Sequence, residues 1–241
     1  MNRIRLRSRW LRPRWIAFHL VCLAGVVGMV MLSLWQFDRL DQRQSFNRDV
    51  RSRSSAPIVD IADLDVDDPS AVEWRAVAAR GSYLVDEQIL ILNRSQDGRA
   101  GVNVVTPLLL DDGRVLAVTR GFVGLDETPP IAPTGSVSVV GVLRSSERRR
   151  TGQPSEAEGR LTEMFRLDLD RLDAQIDGDV IDVSLAMDVS DPPDDPLLRV
   201  VAPPSLSEGS HLSYAIQWLI FAACVVIGWI LAMRRSLKKS E

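Results

Sequence analysis

Histidine and cysteine are the scarce residues of this 241-residue chain, with two of each: His19 and His211, Cys22 and Cys224. Two histidines exclude any site that needs three. Two cysteines exclude a disulfide-dense scaffold and a cysteine-rich zinc module. The sequence also lacks a G-x-S-x-G elbow, a Walker loop, a G-x-G-x-x-G turn after a strand, an H-E-x-x-H helix and a C-x-x-C pair, each of which carries a particular chemistry. Acids are plentiful but fall in no catalytic constellation, so the chain is not expected to be an enzyme. Excess charge of one sign is missing too: the net charge is −3, which gives no reason to expect nucleic acid as a partner.

Long apolar runs are present, and they sit at the two ends. Trp15–Phe37 and Leu212–Met233 contain no Asp, Glu, Lys or Arg. A spanning helix needs about 20 mainly apolar residues, and both runs suffice. The first is too long for the core of a signal peptide and ends without a small-x-small cleavage site, so it reads as an uncleaved anchor. The flanks set the expected orientation. Residues 1–14 hold six arginines and no acid, and the tail holds Arg234, Arg235, Lys238 and Lys239 against Glu241. Residues 15–233 are left with 19 bases against 31 acids. Because basic flanks stay cytoplasmic, both termini are expected inside a plasma membrane that the chain crosses twice. The expected division is a basic N-terminus (1–14), a first span (15–37), an extracytoplasmic domain (38–210), a second span (211–233) and a tail (234–241). Trp35, Tyr214 and Trp218 then fall near the outer interface, where amphipathic rings are favoured. Cys22 and Cys224 are expected as small buried side chains within the spans. The small-x-x-x-small steps Ala24/Gly28 and Cys224/Gly228 would allow close helix approach, although such steps are common in spans.

The middle reads as mostly strand. Glu73–Arg80, Gln88–Leu92, Val102–Leu110, Arg114–Thr119, Val137–Leu143, Phe165–Leu169 and Val180–Val189 are short and rich in Val, Ile and Leu. Asp111-Asp112-Gly113 marks a hairpin. Only Leu167–Ile176 has a helical rhythm. Residues 51–55 read as a polar linker, 144–160 as a loop or flap, and 192–204, with five prolines, as an extended connector. The expected fold class is therefore a membrane protein: two transmembrane α-helices flanking a mainly antiparallel β (α+β) extracytoplasmic domain.

His211 stands where that domain enters the second span. At helical spacing it shares a face with Tyr214 or Ala215, Trp218 and Ala222. An imidazole beside aromatic edges and small residues suits a flat apolar macrocycle such as haem; a polar residue at a helix start suits the same position. His19 lies near the cytoplasmic edge, roughly 25 Å from His211 at 1.5 Å per residue, so the two cannot ligate one iron within one chain. Trp35 and Gln36 end the first span on the outer side. They read either as interface anchors or as an opposite wall for such a ligand.

Read in order, Leu34-Trp35-Gln36-x-x-Arg39, Gly81-x-Tyr83, Asn93-Arg94, Gly101-x-x-x-x-Thr106-Pro107-Leu108, Asp112-Gly113, Arg120-Gly121-Phe122-Val123, Pro129-Pro130, Arg166-x-Asp168 and His211-Leu212-x-Tyr214-Ala215-x-x-Trp218 resemble the Surf1 family of cytochrome c oxidase assembly factors, in an actinobacterial-type form. Phe122 stands where the family usually has Trp, and Thr119 where it has Asn or Asp. The resemblance implies assembly rather than catalysis: help in maturing the catalytic subunit of an aa3-type haem-copper oxidase, with haem a held transiently and a haem a synthase as a further partner. It makes His211 the proposed metal ligand, with Tyr214, Trp218, Trp35 and Gln36 around the cofactor. The alternative is a scaffold or accessory subunit of the oxidase or respiratory supercomplex, without haem. Arg94 and Arg120 read either as partners for propionates or an acidic surface, or as structural salt bridges.

Overall fold

A computed structural model describes residues 12–148 and 159–238. Most of the basic N-terminus, the centre of the expected flap and the last residues of the tail lie outside the described residues. By its packing the chain divides into two units, residues 1–48 with 205–241, and Asp49–Pro204.

The first unit is a helix pair. Helix α1 is Pro13–Ser54; a short helix α2 (Pro69–Val72) and α3 (Leu169–Asp173) belong to the other unit, and α4 is His211–Lys238. Both α1 and α4 are long and apolar enough to cross a membrane. Large apolar side chains such as Val21, Met31, Leu34, Ile220 and Ile227 face outward, which suits lipid and not water. The residues at least partly shielded from the outside fall at 15, 19, 22, 25, 26, 28, 29, 33, 36 and 40 on α1 and at 211, 215, 218, 222, 225, 226, 229, 232, 233 and 236 on α4. A series with alternating steps of four and three runs through both sets, from 15 to 40 and from 211 to 236. A period of 3.5 is that of a left-handed pair crossing at roughly 20°. The contacts run antiparallel: His19 meets Trp229, Ser33 meets Ala215 and Gln36 meets His211. The small-x-x-x-small steps do not make this seam, because a Cβ on Gly28 or Gly228 would meet nothing within 4 Å. Nor are the cysteines both buried: Cys22 is half-buried and Cys224 exposed, and both thiols are free.

The second unit is a β domain of eight strands: β1 (Val59–Asp60), β2 (Ala76–Tyr83), β3 (Ile89–Gln96), β4 (Arg99–Leu110), β5 (Arg114–Gly124), β6 (Ser136–Ser145), β7 (Glu163–Met164) and β8 (Asp179–Asp191). Pairing runs β2–β6–β8–β5–β4, and β4 returns to β2 through Gly81↔Leu110, Ser82↔Leu109 and Tyr83↔Leu108. Five strands thus close a barrel and remove its edges. Most pairs are antiparallel; β5–β8 is parallel. Alternate residues such as Val77, Leu108, Leu116, Val139 and Leu185 fill the interior. The opposite face of β5 is covered as well: Val115 and Ala117 lie under Ile89, Ile91, Met164 and Leu172 from β3, β7 and α3. That double burial explains why β5 reads as a nearly continuous apolar run.

The hairpin at Asp111–Gly113 forms as expected, with Gly113 at φ +91° and Asp112 accepting from the Arg114 amide at 3.0 Å. Three expectations change. The segment 51–55 is not a linker: α1 continues to Ser54, and Arg53 donates to the carbonyls of Ser70 and Glu73. The strand expected from Glu73 starts later, as β2 at Ala76, since Glu73 caps α2 and Trp74 has φ +72°. Phe165–Leu169 is not a strand. Asp168 accepts from the Arg171 amide at 3.2 Å, capping α3 and ending the extended chain.

The proline-rich connector is extended and pinned. Phe122 and Arg199 exchange backbone hydrogen bonds of 2.7 and 3.0 Å. The Arg199 guanidinium grips Glu127 at 2.6 and 2.9 Å. That grip, with the Gly124 amide behind it, holds the Glu127 carboxyl at a pKa of about 2 against an ordinary 4.5. The folded value lies below the unfolded one, so this contribution is full above about pH 4.5 and fades as pH falls through about 2. Glu127→Gln is expected to flatten that part of the stability–pH curve in acid titrations followed by circular dichroism; an unchanged acid limb contradicts it.

Candidate functional site

The site is built where the first apolar run ends and the second begins. Two interactions set its register. Ser33, buried on α1, donates to the Ala215 carbonyl at 3.0 Å. Before α4 begins, the Asn47 amide donates to the Leu206 carbonyl at 2.8 Å and Gln44 to Glu208 at 3.2 Å. Helix α4 then starts on a glycine turn: Gly209 has φ +70°, and the Tyr214 amide donates to the Ser210 carbonyl at 3.1 Å. One turn beyond Ser33 on α1, Gln36 comes level with the first residue of α4. Its Oε1 lies 2.8 Å from His211 Nδ1.

Of the five residues singled out from sequence, the structure brings His211 and Gln36 into direct contact. Trp218 sits on the same seam, half-buried, with its ring edge-on to Phe221 at 5.9 Å. Tyr214 and Trp35 do not join them: they are 48% and 49% exposed, and Trp35 carries the Arg39 guanidinium over its ring at 5.6 Å. Gln36 is therefore no opposite wall across a slot. It touches the imidazole itself, and Ala215 is 0% exposed beneath it, so the helices leave no slot between them at this level. The Nε2 side of the ring faces Gly209, where an added Cβ would stand 3.6 Å from Nε2. With Nδ1 taken by Gln36, the donor set offers one nitrogen, Nε2, beside a residue without a Cβ. That set fits a single axial ligand to a haem iron. Among the described residues no group of three His, Cys, Asp or Glu gathers to hold a metal ion.

His19 is placed as its sequence position implies. Seventeen residues before Gln36 on α1, it lies about 25 Å from His211 along the helix. It accepts from the Trp229 indole at 2.6 Å, with the Trp15 ring 5.7 Å away. Sequence reasoning missed this pair. The available signal was that His19 and Ser33 on the first run, and His211, Ala215, Ala222 and Trp229 on the second, fall on four-three steps that put each set on one face of its helix.

The two arginines singled out from sequence in the β domain, Arg94 and Arg120, both pair with acids of that domain. In β4–β5 the pairs Val104↔Gly121 and Val105↔Thr119 leave Arg120 as the extra residue of a bulge, which turns its side chain out of the ladder. It meets Asp194 through two hydrogen bonds of 2.5 and 2.8 Å. It also donates to Gln88 at 3.0 Å and to the carbonyls of Pro130 and Ile131, and its guanidinium lies 5.6 Å from the Tyr83 ring. Burial and the nearby Asp194 carboxylate push the Tyr83 hydroxyl's pKa upward. Asn93, at φ +56°, stands at a second bulge that aims Arg94 at Glu147. This half-exposed pair borders a groove of about 290 Å³ floored by Asn103, Thr119 and Phe122.

Comparison with known proteins bears out the family resemblance. The model of the SURF1 family matches residues 23–223. A SURF1-like protein of Mycobacterium tuberculosis is 30% identical over 228 residues, covering 90% of this chain and 83% of its own. A SURF1-like protein of Rickettsia bellii is 23% identical, covering 86% and 87%. Surfeit locus protein 1 of Takifugu rubripes is 24% identical, covering 86% and 93%.

Proposed function

The chain belongs to the SURF1 family of cytochrome oxidase assembly factors, and on that premise we propose that it holds haem a and passes it to the catalytic subunit of an aa3-type oxidase. The observation that carries this reading is the His211 ring, with one nitrogen engaged by Gln36 at 2.8 Å and the other beside a residue without a Cβ. Bound haem would supply an iron that an imidazole nitrogen can ligate. His211 would hold that iron through Nε2. The exposed rings of Tyr214 and Trp35 and the half-buried Trp218 would offer apolar surface to the macrocycle. One protein ligand, at the end of a helix pair and not between its members, makes a site that releases its cargo to a two-histidine acceptor. No catalytic step is needed.

The same reading places residues 15–37 and 211–233 in the plasma membrane. It puts 38–210 outside and the basic ends in the cytoplasm, following the charge of the flanks. Its partners are the oxidase catalytic subunit and a haem a synthase. The test is to co-express the full chain with a haem a synthase, purify it in detergent and record its spectrum. A Soret band is expected, and His211→Ala should remove most of it. A band that survives His211→Ala, or none with the native chain, overturns the haem reading and leaves a scaffold or accessory subunit.

A further inference from the structure

We propose that Gln36 is a positioning residue that fixes His211 as the Nδ1–H tautomer, and that the helix pair holds its two histidines in opposite tautomers. The inference deepens the haem reading and rests on it for its consequence, but not for the tautomers themselves.

The chemistry of the partners decides the protons. An amide oxygen accepts and cannot donate. With Gln36 Oε1 2.8 Å from His211 Nδ1, the ring proton must sit on Nδ1, and in the neutral ring Nε2 then carries the lone pair. An indole N–H donates and cannot accept. With Trp229 Nε1 2.6 Å from His19 Nδ1, the lone pair sits on Nδ1, and the proton of His19 is on Nε2. The two imidazoles lie on one seam, yet only His211 presents a free lone pair. His19 presents an N–H, and its lone pair is spent on Trp229. The helix pair thereby selects one of its two histidines as a ligand for iron.

Gln36 can do this because its own position is fixed. Ser33, one turn before it, is tied to the Ala215 carbonyl at 3.0 Å, which holds the helices in register at this level. Gly209 leaves the Nε2 side without a Cβ. A histidine that ligates through one nitrogen commonly donates from the other to a fixed acceptor, which sets ring orientation and raises basicity. Gln36 supplies that acceptor from the facing helix.

The experiment is nitrogen NMR of the full chain, labelled with ¹⁵N-histidine, in lipid nanodiscs without haem. Only two histidines are present, and His19→Asn assigns them. The native chain should show His211 protonated at Nδ1 and His19 protonated at Nε2. Gln36→Leu should turn His211 into a tautomer mixture and leave His19 unchanged, which also shows that the pair still assembles. Gln36→Glu should restore Nδ1–H. In haem-loaded protein, Gln36→Leu should weaken binding by about 10- to 100-fold and lower the iron–histidine stretching frequency, and Gln36→Glu should raise it. His211 protonated at Nε2 in the native chain, or a His211 signal indifferent to Gln36→Leu, overturns the proposal. Tautomers as expected with haem binding indifferent to His211→Ala would instead sink the haem reading and leave the positioning role standing.

Discussion

Arg120→Met is expected to destabilise the β domain by about 3–5 kcal/mol, because it leaves the Asp194 carboxylate buried without its counter-charge. The side chains of the pair are 0% and 9% exposed. Arg120 sets the Nε–Nη2 edge of its guanidinium on Asp194 and spends its remaining donors on Gln88, Pro130 and Ile131. Lysine cannot copy the two-pronged geometry, so Arg120→Lys should recover only part of the loss. Removing both charges is a different matter. A well-packed apolar pair often matches or exceeds a buried ion pair, so Arg120→Met with Asp194→Leu should lose less than Arg120→Met alone. Denaturant melts with hydrogen exchange at the β5 amides measure all three. A single variant as stable as the native chain would mean that water reaches the site and that the pair does not tie the connector to the barrel.

Much of this architecture could be read from the chain, and the failures share a cause. The two spans, the hairpin at Asp111–Gly113 and the cores of β4, β5, β6 and β8 depend on local pattern, and local pattern located them. Closure of the barrel depends on three pairs between β2 and β4, far apart in sequence, and no period of two announces which strands will meet. Arg120 read equally as a partner for propionates or an acidic surface and as a structural salt bridge, because its partner, Asp194, lies in a proline-rich segment that carries no strand signal. The helix beyond residue 37 was hidden because charge ends the apolar run. It continues on side-chain pairs three and four residues apart, with Gln42 bonded to both Asp38 and Arg39. At the site, His211 and Gln36 were both legible as residues, whereas their contact was not. It follows from the antiparallel register of the seam, which one helix read alone does not contain.

The second large effect is expected at Gly81, and it tests whether closure of the barrel holds the domain together. Gly81 pairs with Leu110 on one side and with Val137 on the other, so backbone flanks it on both sides. A Cβ there would stand 2.1 Å from the Leu109 carbonyl oxygen and 2.9 Å from its carbon. These are backbone atoms and cannot swing away as the end of a side chain would. The strands must part, and β2–β4 joins by three residue pairs where β2–β6 joins by seven, so the shorter seam should open. Gly81→Val is therefore expected to cost about 3 kcal/mol or more, the upper range for forcing volume into a packed site. The amides along β2–β4 should exchange faster while those between β6 and β8 keep their protection. Gly28→Ala on α1 is the matched control: its Cβ meets nothing within 4 Å, and alanine in a helix interior favours folding by about 0.5–1 kcal/mol. If Gly81→Val melts with the native chain and exchanges like it, the strands do not need this seam, and the domain is better described as an open sheet.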